Sequence, residues 1–181
     1  MDSPRYTYHF SDPIDGESVQ QLIDILTLYE KIDLFFSTEG GEIVETKVLI
    51  HYLNSRKEDI DIYLTDIIMS AGAFLLTDYQ GKIVITDSLD CVLFHKIDRQ
   101  VYTRRQQFIS IPTLLEQLDE DNEQMAQKFS ELGLTESEII DFKEGKDVVL
   151  YRKDFNRLKI NRKNDTIQQI KKTKRSKPRK Q

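Results

Sequence analysis

The hydrophobic positions of the chain follow two different periods, and their succession predicts strands alternating with helices. Short runs that alternate apolar with polar residues, or are apolar throughout, are typical of β-strands, whereas apolar residues three and four positions apart predict amphipathic helices. Strands that alternate with helices favour an α/β fold with a parallel sheet. We expect strands over residues 5–10, 32–36, 59–64, 83–85 and 92–95, and helices over residues 19–26, 43–53 and from residue 70 onward.

The pattern changes after residue 95. Residues 98–107 are polar and rich in Arg and Gln, and Pro112 then begins an apolar periodicity that predicts one long helix up to residue 132. Thr135 and Glu138 have the spacing of a capping box, which predicts a further helix. A short apolar run at residues 148–150 then predicts a last strand.

Composition and charge set the end of the chain apart from the rest. Hydrophobic residues make up 39% and charged residues 31% of the 181 residues, as expected for a globular domain with one core. Residues 162–181 carry nine Lys or Arg and one Asp, a net +8, so the preceding residues sum to −13. We therefore predict one domain over residues 1–160 and a disordered basic tail over residues 161–181. The acidic body does not fit a nucleic-acid-binding domain.

Signals for membrane insertion, secretion and metal binding are absent from the sequence. No apolar run reaches the roughly 18–20 residues that a membrane span needs, and the first residues lack the layout of a signal peptide. The single cysteine, Cys91, allows neither an internal disulfide nor a cysteine-based metal cluster, and the three histidines are too scattered for a zinc site. We expect a cytoplasmic protein with no membrane partner, no metal and no cofactor.

Side chains suited to acyl transfer fall at the ends of predicted strands. Ser70 follows one strand, His95 closes another, and Asp147 borders a third. Because the carboxyl ends of parallel strands meet at one edge of a sheet, we expect these side chains to converge there. Ser70 would then attack, His95 would carry the proton and Asp147 would orient the imidazole. The N–H groups of Gly41 and Ala71 would form the oxyanion hole.

Each of these residues also has a purely structural interpretation. Ser, Ala and Gly often cluster where a helix packs closely on a sheet, and a histidine at a strand end is commonly bonded to the backbone. Asp98 and Asp141 are alternative partners for the histidine if Asp147 points elsewhere. His9 and His51 belong to no recognisable constellation, so we expect both on the surface.

Four segments resemble motifs of the proteolytic subunit of the Clp protease, a family of serine peptidases. Residues 70–76, Ser-Ala-Gly-Ala-Phe-Leu-Leu, resemble its nucleophile motif Ser-Met-Gly-Ala-Phe-Leu-Leu, and residues 37–41, Ser-Thr-Glu-Gly-Gly, resemble its Asn-Ser-Pro-Gly-Gly. Residues 92–95, Val-Leu-Phe-His, are similar to its Val-Met-Ile-His. Residues 146–150, Lys-Asp-Val-Val-Leu, are similar to the segment Arg-Asp-x-Phe-Met that carries its aspartate. The resemblance covers about residues 5–158.

The resemblance implies a crotonase-like α/β fold of stacked parallel ββα units. The long helix of residues 112–132 would be the handle through which rings of subunits associate. The implied activity is that of a serine endopeptidase cleaving peptides or unfolded proteins inside a self-assembled ring or chamber. Ser70, His95 and Asp147 match the positions of the family's triad.

The chain departs from the family pattern at three places. It starts close to the first strand, so we expect it to lack the N-terminal helix and axial loop with which the family docks an AAA+ unfoldase. This weakens the expectation of such a partner. Glu39 replaces the family's proline beside the presumed oxyanion loop. Residues 96–107 lack the family's glycine-rich substrate-binding strand and are rich in cationic side chains, which leaves the specificity open.

Two functions of other classes stay open beside the peptidase. A non-catalytic protein of the same fold would use it for assembly or binding, with the basic tail as its contact. A crotonase-fold enzyme acting on an acyl thioester would use the same pair of N–H groups without needing the Ser/His/Asp set. A covalent serine probe separates the peptidase from both.

Overall fold

Five strands form one sheet, and their order across the sheet is their order along the chain. The computed structural model describes residues 4–97 and 111–160, and only the backbone of residues 111–114. The strands are β1 (Tyr6–Phe10), β2 (Ile32–Thr38), β3 (Ile60–Met69), β4 (Lys82–Phe94) and β5 (Val148–Tyr151). Strands β1 to β4 are parallel to one another, and β5 is antiparallel to β4.

Helical segments connect the parallel strands, which confirms the predicted α/β class. The helices are α1 (Gly16–Thr27), α2 (Ile43–Ser55), α3 (Phe74–Asp78), α4 (Ile111–Leu132) and α5 (Glu136–Lys143), with 3₁₀ turns at Ser70–Ala73 and Phe155–Arg157. Helices α1 and α2 follow β1 and β2, and a 3₁₀ turn with α3 leads from β3 to β4. Each neighbouring parallel pair is therefore joined by a helical crossover, as parallel pairing requires.

The core lies between the helices and one face of the sheet. In β2 the fully buried side chains of Ile32, Leu34 and Phe36 alternate with the half-buried Asp33 and Phe35. Because successive side chains of a strand point to opposite faces, this alternation gives the sheet one dry face and one half-exposed face. The helices supply fully buried leucines to the dry side, namely Leu22, Leu26, Leu49 and Leu53.

Strand β4 is continuous, whereas the sequence predicted two strands, at residues 83–85 and 92–95. The intervening residues are mostly polar, but Leu89 and Cys91 pair with β3 and carry the strand through two register shifts. At the second shift Asp66 pairs with Leu89 while Ile67 pairs with Cys91, which leaves Asp90 as an extra residue in β4. Asp66 has a φ of 50°, in the left-handed region, at this irregularity.

The antiparallel direction of β5 corrects the expectation of a parallel sheet. Its ladder pairs Val148 with Phe94 and Tyr151 with Cys91, so β5 begins beside the end of β4. The apolar residues of so short a strand fit either direction. Helices α4 and α5 decide the outcome, because they return the chain to the carboxyl end of β4.

The long helix α4 confirms the helix predicted from Pro112 to Leu132. Its buried Phe129 ring meets Phe94 and Phe142 edge-on, at centroid distances of 4.6 Å and 5.3 Å. Helix α4 is thereby anchored on the end of β4 and on α5.

The predicted capping box at the start of α5 is present. The Thr135 hydroxyl accepts from the backbone N–H of Glu138, and the Glu138 carboxylate accepts from the backbone N–H of Thr135 at 2.7 Å. Arg157 donates to the same carboxylate at 2.6 Å. Burial raises the pKa of Glu138, but the hydrogen bonds from Arg157 and Thr135 outweigh it, so the pKa lies below its ordinary value of 4.5.

Two of the predictions fall on residues that the structure does not describe. The basic tail at residues 161–181 and the polar segment at residues 98–107 lie outside the described residues. Among the helices that are described, none has the length and apolar character needed to cross a membrane.

Replacing Glu138 with Gln is expected to lower the free energy of unfolding by about 1 kcal/mol at pH 7, because the charged partner of Thr135 and Arg157 is lost. A depressed pKa contributes stability above the unfolded value and loses it as the pH falls through the folded value. The difference from wild type should therefore shrink below pH 4.5. Urea titrations across this range measure it. Glu136→Gln removes an exposed charge from the same first turn and should change little; an equal loss in both variants would contradict the assignment.

Candidate active site

Ser70 occupies a strained position where β3 ends. Met69 is still extended, with φ −124° and ψ 154°, whereas Ser70 has a φ of 54°, a conformation that non-glycine residues rarely adopt. Such strain costs on the order of 1–3 kcal/mol and is typical of functional sites. The helix predicted from Ser70 begins as the 3₁₀ turn and continues as α3. This geometry keeps Ser70 partly exposed while the next three residues are buried.

The backbone of Gly40 lies directly against Ser70. A Cβ atom at Gly40 would be 2.6 Å from Ser70 Cβ and 2.7 Å from the carbonyl oxygen of Met69. The φ of Gly40 is +95°, which also disfavours any residue with a side chain. Gly40 is therefore required by both space and backbone conformation.

Ile14 is hydrogen-bonded to the loop that contains Gly40 and Gly41, called here the Gly-Gly loop. Its N–H donates to the Gly40 carbonyl at 2.8 Å, and its carbonyl accepts from the N–H of Glu42 at 2.7 Å. The two bonds form an isolated parallel β-bridge between Ile14 and Gly41. They involve Gly40 and Glu42, the neighbours of Gly41, so the N–H of Gly41 takes no part in the bridge. Gly41 has a φ of +151°, and a Cβ there would lie 2.1 Å from the Ile14 carbonyl oxygen.

The second predicted oxyanion donor, Ala71, belongs to the first residues of the 3₁₀ turn. N–H groups at this position have no partner within the helical turn itself. Its nitrogen is 3.2 Å from the point where a Gly40 Cβ would be, so the Gly-Gly loop borders this N–H directly. The backbone of Gly40 therefore contacts both Ser70 and Ala71, and the role of Gly41 and Ala71 as oxyanion donors stays a prediction.

His95 follows the last residue of β4 and contacts the serine. Met69 pairs with Leu93 in the ladder between β3 and β4, which brings the residues that follow both strands side by side. The distance from Ser70 Oγ to His95 Nε2 is 2.6 Å, a short hydrogen bond. The two residues are thus placed as a nucleophile and its base.

Asp147 reaches the other nitrogen of the imidazole. Phe94, the last residue of β4, pairs with Val148, the first residue of the antiparallel β5. Asp147, just before β5, is therefore next to His95, just after β4. Asp147 Oδ1 lies 3.8 Å from His95 Nδ1, an electrostatic contact longer than a hydrogen bond. The His95 and Asp147 side chains are 46% and 62% exposed, so water weakens their attraction.

Asp141, one of the two alternative acidic partners, does not take this place. Asp141 is bound to Lys146 at 2.7 Å, and Lys146 is also 2.8 Å from Glu144. The hydrogen bonds that Lys146 donates to these two carboxylates raise its pKa, so its positive charge is retained. Asp98 lies outside the described residues.

The remaining histidines are both exposed, as predicted. The ring of His9 stacks on Phe35 at a centroid distance of 4.7 Å, on the half-exposed face of the sheet. Across residues 4–97 and 111–160, no group of three or more His, Cys, Asp or Glu side chains is arranged to hold a metal ion.

Thr38, which was not expected from the sequence to have a role here, organises the loop beside the serine. Its hydroxyl accepts from the N–H of Gly40 at 3.0 Å and donates to the carbonyl of Asp12 at 2.9 Å. A Cβ at Gly72 would be 2.4 Å from the Thr38 methyl group, so Thr38 also packs against the turn after Ser70. A Thr two residues before a Gly-Gly turn is a recognisable signal for this arrangement.

Asn122 of α4 is a second residue near the site whose position was not expected from the sequence. Its side chain is 4% exposed and accepts a hydrogen bond at 2.9 Å from the N–H of Ile97, two residues after His95. The available signal was a polar residue at helical spacing from Leu118 and Met125, on the apolar face of a predicted helix.

The arrangement contains the parts that acyl transfer needs. A hydroxyl is bonded to an imidazole, a carboxylate faces the second imidazole nitrogen, and the backbone of Gly40, next to Gly41, lies against Ser70 and Ala71. No known protein-family model matches the sequence, and a search of curated proteins finds no significant match. The functional argument therefore rests on this geometry.

Replacing Gly40 with Ala is expected to lower the free energy of unfolding by about 2–4 kcal/mol, because strain from the positive φ adds to the contact with Ser70 and Met69. Gly145→Ala is the matched control: its φ is +82°, but a Cβ there would meet nothing within 4 Å. The control should lose only about 1–2 kcal/mol. Denaturant unfolding measures both, and equal losses would contradict a close approach of Gly40 to Ser70.

Proposed function

We propose that this protein is a serine endopeptidase that works through an acyl-enzyme. The observation that carries the proposal is the 2.6 Å contact between Ser70 Oγ and His95 Nε2 at a serine held in a strained backbone conformation. An acyl-thioester enzyme that uses only a pair of N–H groups has no need of this contact. A protein that serves binding alone has no need of it either.

In the proposed reaction His95 first accepts the proton of the Ser70 hydroxyl and then donates it to the leaving amine. With the proton of the neutral imidazole on Nδ1, facing Asp147, the free Nε2 accepts the hydroxyl proton as Ser70 Oγ attacks the peptide carbonyl carbon. The N–H groups of Gly41 and Ala71 stabilise the oxyanion that forms. His95 then gives the proton to the leaving amine, and water hydrolyses the acyl-serine by the same route.

The finer description of the fold and assembly belongs to the same proposal. The order of the parallel strands supports a crotonase-like fold related to the Clp protease subunit. Val44 and Val48 lie one turn apart on α2 and are about half exposed, at 51% and 47%, and we assign this pair to the contact between subunits of a ring. Cys91 is free and half-buried, which fits a reducing cytoplasm. An AAA+ unfoldase is not part of this proposal.

The serine assignment predicts a specific pattern of reaction with a fluorophosphonate probe. Wild-type protein should react, Ser70→Ala should not react at all, and His95→Ala should react at least about a hundredfold more slowly because the general base is lost. His51→Ala removes an exposed histidine outside the site and should react at the wild-type rate. Mass spectrometry of the labelled peptide identifies the site, and light scattering gives the mass of the assembly.

A folded wild-type protein that never reacts would contradict the peptidase proposal. The same holds if labelling survives in Ser70→Ala. Circular dichroism of each variant shows that a lost reaction comes from the site and not from unfolding.

Asp147 should contribute less than His95, because its carboxylate is exposed and lies 3.8 Å from the imidazole. Asp147→Asn is expected to slow the probe reaction by about tenfold, since the orienting charge is lost. Asp141→Asn removes a carboxylate that binds Lys146 and should leave the rate unchanged. If the Asp141 variant is slow and the Asp147 variant is not, the two roles are exchanged.

A further inference from the structure

The buried side chain of Asn122 connects the long helix to the backbone beyond His95. Its carbonyl oxygen accepts from the N–H of Ile97 at 2.9 Å, and its amide donates to the Leu118 carbonyl one turn earlier at 2.8 Å. Both ends of the side-chain amide are therefore occupied. Burying a polar side chain in an apolar helix face is unfavourable unless such bonds are made.

The position of Ile97 explains why this bond matters for the site. Strand β4 ends at Phe94, so the backbone from His95 onward is no longer held by the regular ladder with β3 and β5. Ile97 is half-buried and packs against the core. The bond to Asn122 fixes the chain two residues after the histidine and so limits how the backbone of His95 can rotate.

Helix α4 also supports the residues around Ser70. Phe129 contacts Phe94, which precedes His95, and lies 6.4 Å between centroids from Phe74, in the helix that follows Ser70. The bond from Lys128 to Asp78, at 2.8 Å, is an exposed contact at the far end of that helix and touches neither Ser70 nor His95, so the Phe129 contacts are the ones that concern the site. One helix therefore supports both the nucleophile and the base, and Asn122 is the residue that acts on the base side.

We propose that Asn122 is a positioning residue for His95: by holding the N–H of Ile97, it keeps His95 Nε2 at hydrogen-bonding distance from Ser70 Oγ. Asn122 acts through the backbone and is bonded to neither member of the pair. This inference rests on the proposed peptidase function for its kinetic consequence, whereas its structural consequence can be measured without any activity.

The first test compares rates of reaction with the fluorophosphonate probe in the full-length protein. Asn122→Leu keeps a similar volume but offers no acceptor, and should react at least about tenfold more slowly, since small misplacements of a catalytic group are costly. Asn122→Asp should restore most of the rate, because a carboxyl oxygen can accept from Ile97 in either protonation state. Lys128→Met loosens the same helix at its bond to Asp78 and should react like wild type.

These variants separate positioning from general stability. A melting temperature lowered equally in Asn122→Leu and Lys128→Met, with a slow reaction only in the first, supports the proposal. A folded Asn122→Leu protein that reacts at the wild-type rate overturns it, as does an Asn122→Asp protein that is as slow as Asn122→Leu. If Asn122→Leu does not fold, Asn122→Ser replaces it, because the shorter hydroxyl does not reach Ile97.

A second measurement remains informative if the wild type does not react with the probe. The chain has only three histidines, so protein labelled with ¹³C at the histidine Cε1 position gives three resonances to assign. Ser70→Ala should shift the His95 signal when Asn122 is present, and should shift it much less in the Asn122→Leu background. Equal shifts in both backgrounds overturn the positioning role. Absence of probe reaction with unequal shifts overturns the peptidase function and leaves the positioning role standing.

Discussion

The site depends on the direct approach of two backbone segments, with no side chain between them. Gly40 lies so close to Ser70 that a single added carbon would be 2.6 Å from the serine Cβ. Ile14 and Thr38 hold this loop in place by hydrogen bonds from opposite sides. A strained φ such as that of Ser70 persists only where the surrounding structure maintains it. The loop and the turn that carries Ser70 and Ala71 therefore form one unit.

The topology brings the other two side chains to this unit by different means. Ser70 and His95 follow parallel neighbours, so the sheet edge places them together. Asp147 precedes its strand, and it reaches the same edge only because β5 is antiparallel. The helices that reverse the chain before β5 are thus as necessary to the site as the strands. This explains why the long helix α4, which supplies none of the three side chains, still bears on how they meet.

The sequence predicted most of the helices and strands well, because they depend on local patterns. The long helix from Pro112 and the capping box of Thr135 and Glu138 are examples. The antiparallel direction of β5 and the continuity of β4 were not predicted, because both depend on pairing with strands that are distant in the chain. Asn122 was missed for a similar reason: its importance comes from a backbone N–H 25 positions away. Thr38 alone reads as an ordinary strand residue, and the signal of its role was the Gly-Gly pair that begins two residues later.

The extra residue Asp90 in β4 has a consequence for which side chain reaches the serine. Before the irregularity an odd-numbered residue, Ile83, faces the core, whereas beyond it the even-numbered Val92 and Phe94 do. In a strand that alternated without interruption, residue 95 would share the inward face of Ile83 and residue 94 would face solvent. The one extra residue, Asp90, exchanges the inward and outward positions of the strand five residues before His95. Asp90 therefore decides whether the imidazole faces the surface or the core, although Asp90 itself lies outside the site.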